Sequence, residues 1–106
     1  MSKKLLFSII TKNQNIDIQF NLHKGTQNIN KTSVLLEKIL NLIDQETKKK
    51  DGISEGDIFQ AIALSNAIRI GISEFENEKI LEFSNDITIK GIESFKKAKK
   101  YPLGNA

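Results

Sequence analysis

Between Ile58 and Ile72 the chain carries seven large apolar residues, three alanines and Gly71, and the only polar residues among them are Gln60, Ser65, Asn66 and Arg69. At 3.6 residues per turn those apolar groups fall on every side of a helix. A helix of that kind must be covered on several sides, which ordinarily means the middle of a domain. The segment therefore predicts a buried central helix with the rest of the chain packed around it. Ser54-Glu55-Gly56-Asp57 precedes it and has the form of a capping box, in which a serine accepts from the backbone three residues on.

Two further segments pattern clearly. Ile16, Ile18, Phe20 and Leu22 alternate with Asp17, Gln19 and Asn21, the period of a strand with one face buried. Leu5 to Thr11 is more continuously apolar, and the intervening Lys12-Asn13-Gln14-Asn15 is rich in turn formers, so the pair reads as an antiparallel hairpin. A lone two-stranded hairpin is marginal in water. It must lie on the helices or pair with strands of a second copy. After His23 to Asn28, a helix is expected to start between Asn30 and Ser33. It then runs to Lys48, with Leu35, Leu36, Ile39, Leu40, Leu42 and Ile43 on one face and charged or amide residues on the other. Lys48-Lys49-Lys50 suits its C-terminal end, and Asp51-Gly52 supplies the stop.

In the last third, Ile80, Phe83, Ser84, Ile87, Gly91, Phe95 and Ala98 recur at helical spacing, predicting a helix from about Asn77 to Lys100. Residues 79–90 also admit a hairpin, because Ile87-Thr88-Ile89 alternates and Ser84-Asn85-Asp86 has turn composition. Gly91 is the weak point of the helical reading. Pro102 and Gly104 end regular structure, and a loose tail is expected from about residue 101. The expected fold is thus α+β: one small domain over 1–106, an N-terminal antiparallel β-hairpin packed on three α-helices (ββααα), with the central helix buried.

Composition narrows the function classes. No apolar run approaches the roughly 20 residues that span a bilayer, and Met1-Ser2-Lys3-Lys4 before Leu5-Leu6-Phe7 lacks a cleavage site, so no signal peptide is read there. With no cysteine, disulfides, thiol nucleophiles and thiolate-bound zinc are excluded, and a cytoplasmic location is the default expectation. The formal net charge of +3 rests on fifteen lysines against a single arginine. Abundant lysine, isoleucine and asparagine are what an A+T-rich coding bias produces, so the basicity is weak evidence for a nucleic-acid surface.

Three groups of residues are candidate sites. Arg69 shares a helical strip with Ser65 and Ser73, with Asn66 on the adjoining side. A guanidinium among hydroxyls and a carboxamide suits a carboxylate or phosphate, although arginines of this kind more often pair with a carboxylate of their own chain. Gly56, Ala63, Ala67 and Gly71 form a strip of small residues on the opposite side, where another helix approaches closely. That helix belongs either to the same chain, the commoner case, or to a second copy. Lys96, Lys97, Lys99, Lys100 and Tyr101, next to Phe95, are the candidate nucleic-acid contact, where lysines would meet phosphates and rings would stack on bases. The ordinary alternative is a solvated helix end.

Catalysis is not expected. His23 is the sole histidine, no motif joins it to a serine and an acid, and the isolated glycines form no phosphate loop. No cofactor or metal is implied. The sequence therefore points to a non-enzymatic protein-interaction or assembly module, expected to be a homodimer with a protein partner, possibly itself. A nucleic-acid-associated accessory protein using the lysine cluster is the alternative, and no membrane association is implied.

Overall fold

The structure is a computed structural model that describes residues 3–103. It is an α+β fold of a three-stranded antiparallel sheet and three helices. Strand β1 spans Lys3–Ile10 and β2 spans Gln14–Leu22. Helices α1, α2 and α3 span Ile29–Thr47, Glu55–Ile72 and Asn77–Lys96, and β3 spans Lys99–Pro102. The sheet order is β1-β2-β3.

The hairpin forms as its alternation dictates. Leu5 pairs with Phe20, Phe7 with Ile18 and Ile9 with Ile16, so one face collects the apolar residues while Leu6, Ser8 and Ile10 stand on the other beside Gln19, Asp17 and Asn15. The turn occupies only Lys12 and Asn13, since Gln14 and Asn15 already belong to β2. Neither Lys12 nor Asn13 has positive φ, so the mirror-image turn usual in tight hairpins is not used. The Thr11 hydroxyl takes the Gln14 N–H instead, at 3.1 Å. Leu5, Ile16 and Ile18 are buried, and Ile18 is only 2% exposed.

Each helix end has a local cause. The Asn28 side chain accepts from the Lys31 N–H at 2.9 Å, and α1 starts at Ile29, one residue before the expected Asn30 to Ser33 window. Gly52, at φ +61°, turns the chain after α1 in a conformation that side chains resist. Ser54 caps α2 as its spacing predicts, its hydroxyl accepting from the Asp57 N–H at 3.1 Å. Residues 79–90 are helical throughout, and α3 passes through Gly91 without a break. A β-carbon at Gly91 would sit 4.0 Å from Phe20 of β2, an ordinary contact distance.

The chain divides into two compact units. Of the described residues, one contains 3–33 and 84–103, hence the sheet and the second half of α3; the other contains 34–83, hence most of α1, all of α2 and the start of α3. In the first unit the core lies on the sheet, with Leu5, Ile16 and Ile18 joined by the buried Ser94 of α3. In the second unit only Ile58 and Ile70 are buried.

Two expectations need correction. The central helix is not buried: Phe59, Ile62, Leu64, Ile68 and Ile72 all stand exposed. The physical reason is that within the second unit α2 has too little chain to cover it, because α1 buries no residue at all. Nor is the chain loose from residue 101, since Tyr101 and Pro102 pair with Asn15 and Gln14 in β3. The open edge of β2 supplies the hydrogen-bonding partners that a free tail would take from water. The rest of the expected tail, residues 104–106, lies outside the described residues.

Candidate functional surfaces

The three candidate groups are placed very differently. Ser65, Asn66 and Arg69 lie on α2 and are exposed, while Ser73 caps its C-terminal end and is half-buried. The Ser73 backbone N–H donates to the Ile70 carbonyl and its hydroxyl accepts from the Phe75 N–H at 3.1 Å. No ion pair among the described residues involves Arg69; those present are the local helix pairs Lys48–Asp44, Lys49–Glu46, Lys79–Glu76 and Lys90–Asp86. All four are exposed and are worth little individually. Ser65, Arg69 and Ser73 are thus aligned along one helix, but no second element closes over them to make a pocket.

The small-residue strip is also open. Gly56, Ala63, Ala67 and Gly71 are exposed, and a β-carbon added at Gly56 or Gly71 would meet nothing within 4 Å. Among the described residues, nothing uses the close approach that Gly56 and Gly71 permit. Around the helix from them, Leu64, Ile68 and Ile72 recur every four residues on the side away from Ile58 and Ile70. On α1, Leu35, Ile39 and Leu42 repeat at spacings of four and three, the stripe of a helix that packs on another, and all three are exposed.

The lysine cluster is divided by the fold. Lys96 ends α3, Lys97 follows it, and Lys99 and Lys100 sit at successive positions of β3, so their side chains leave opposite faces of the sheet. Lys99 stands opposite Asp17, and the Lys100 ammonium lies 5.4 Å from the centre of the Phe95 ring. Tyr101 pairs with Asn15. The five residues therefore do not present one basic face.

A concavity that the sequence did not announce lies in the sheet unit, between the Gln19–His23 end of β2 and the second half of α3. It encloses about 520 Å³, and Gln19, Asn21, His23, Lys90, Glu93 and Lys97 give it a polar lining of mixed sign. Ser94 and His23 both line it, so a hydroxyl and the imidazole share this cavity. The His23 Nδ1 accepts from the Gly25 N–H at 2.9 Å. No sequence motif marks these residues, because two of the elements that line the cavity are some seventy positions apart in the chain.

No group of His, Asp and Glu among the described residues is arranged to hold a metal ion. None of the described helices is long and apolar enough to cross a membrane. Compared with family models, curated proteins and solved structures, the chain shows no significant match to any.

Proposed function

We propose that this protein is a non-enzymatic assembly module that works as a homodimer, with the exposed apolar faces of α1 and α2 as its association surface. One observation carries the reading. The chain exposes 9038 Å². Two compact bodies, each of half its 12.0 kDa mass and with no contact between them, would expose only about 7,200 Å². The excess means that apolar side chains are left uncovered within the single chain. The exposed large apolar side chains include Leu35, Ile39 and Leu42 of α1 and Phe59, Leu64, Ile68 and Ile72 of α2. Scattered apolar side chains are ordinary on a protein surface, but stripes of this length mark association sites.

A second copy is the occupant that this surface suits. The helix-packing stripe of α1 and the small-residue strip of α2 are both faces that pack well against their own image across a two-fold axis. A bare strip at Gly56, Ala63, Ala67 and Gly71 lets two helix backbones approach closely, while Leu64, Ile68 and Ile72 provide the apolar area.

Light scattering on the purified protein tests the reading. The expected mass is twice 12.0 kDa. Ile68→Glu, which is 64% exposed in the single chain, should return the mass to that of one chain while the helical circular-dichroism signal persists. A parent protein that stays at 12.0 kDa up to high micromolar concentration overturns it.

A further inference from the structure

The sheet ends on an open strand. Among the described residues β1 pairs only with β2, so along its whole length, Lys3–Ile10, the outer row of backbone groups faces away from the sheet. Proteins usually blunt such an edge with a proline, a bulge or a charge in its middle. The run from Leu5 to Ile10 has none of these. Its outward face carries Leu6 and Ile10, 75% and 73% exposed.

We infer that two copies of this chain join edge to edge through β1, antiparallel about a two-fold axis at Leu6, to form one six-stranded sheet. The inference rests on the homodimer reading above and adds a specific seam to it. The charge pattern selects the antiparallel direction. Lys3 and Lys4 are the only charges of β1 and both lie at one end, so a parallel pair would stack like charges whereas an antiparallel pair sends them to opposite ends.

The register follows from what each row would contain. Continuous faces require each residue to oppose one of the same face, so the axis must pass through a residue of β1. Centred on Leu6, the pairing engages Lys3 to Ile9, puts the two Leu6 side chains against each other, and extends the buried face by setting Leu5 opposite Phe7. It also sets Lys4 opposite Ser8 of the second copy. Ser8 donates to Asp17 Oδ1 at 2.7 Å, and Asp17 is the next residue along that row. The outward row would then read Lys99, Asp17, Ser8 and the second copy's Lys4, so that a carboxylate lies between two ammonium groups with only a small hydroxyl in the way. Centred on Phe7, the same row would instead put Lys4 against Ile10. Centred on Ser8, it would leave Lys4 outside the seam.

The absence of cysteine makes the seam directly readable. Leu6→Cys, Phe7→Cys and Ser8→Cys are made singly and oxidised, and the covalent dimer is quantified alongside the mass in solution. A disulfide needs α-carbons within about 7 Å, which only a residue on the axis meets well. Leu6→Cys should cross-link at least tenfold faster than the other two, and Lys4→Glu should weaken the dimer about tenfold in Kd, with Lys4→Glu/Asp17→Lys restoring it. Fastest cross-linking at residue 7 or 8 overturns the register and the Lys4–Asp17 row. A dimer that resists cross-linking at all three positions overturns the seam and leaves self-association standing. A protein that is monomeric throughout overturns both.

Discussion

The sheet unit and the helical unit solve the same problem unequally. In the sheet unit, alternating Ile16, Ile18, Phe20 and Leu22 meet Leu5, Phe7 and Ile9 across the hairpin, and α3 lays Gly91 and Ser94 over that face. Its core closes with residues of one chain. In the helical unit, α1 and α2 also carry many large apolar residues, yet α1 buries none and α2 buries only Ile58 and Ile70. Hydrophobicity drives both units to hide surface. The difference is that the sheet unit finds its cover along its own chain, whereas in the proposed homodimer the helical unit finds it on a second copy.

The contrast can be attacked from the largest effect downward. Ile18→Ala should cost about 2–5 kcal/mol, since a nearly inaccessible side chain leaves a cavity. The loss should be independent of protein concentration in chemical denaturation, because that core belongs to one chain. Ala67→Leu adds bulk to an exposed position of α2. It should leave the fold intact and weaken association by about 1–3 kcal/mol, the usual cost of overpacking a close helix contact; unfolding at all concentrations would instead place that contact within one chain. Ser54→Ala removes the α2 cap and should cost about 1 kcal/mol, read as a lower thermal midpoint with unchanged mass. Gly91→Ala runs the other way. With room for the added methyl beside Phe20, it should stabilise α3 by about 0.5–1 kcal/mol.

What could be read from the chain alone follows the same division. Elements whose cause is local were legible: the alternation of Ile16 to Leu22, the Ser54 cap, the amphipathic period of α1, and the helical spacing that outweighed Ile87-Thr88-Ile89 in α3. Strand β3 was not legible, because Lys99-Lys100-Tyr101-Pro102 has little strand character and is held by an edge of β2 more than eighty residues earlier. The exposure of α2 was misread for a related reason. An apolar circumference says that a helix will be covered, but not which chain supplies the cover. The candidate sites divide in the same way: Ser65, Arg69 and Ser73 do share a strip, as their spacing requires, whereas the cavity around Gln19, His23 and Lys90 depends on a meeting of distant elements that no local pattern announces.

Mass action gives the most direct test of the helical unit's dependence on a second copy. If α1 and α2 complete their core across a two-fold axis, folding and association are linked, and the thermal midpoint of the helical signal must rise with concentration. The account predicts a gain of about 1.4 kcal/mol in apparent stability for each tenfold increase in protein, the mass-action term for a dimer at 25 °C. A midpoint that stays fixed over a hundredfold range of concentration would show a helical unit that stands on its own, and would contradict it.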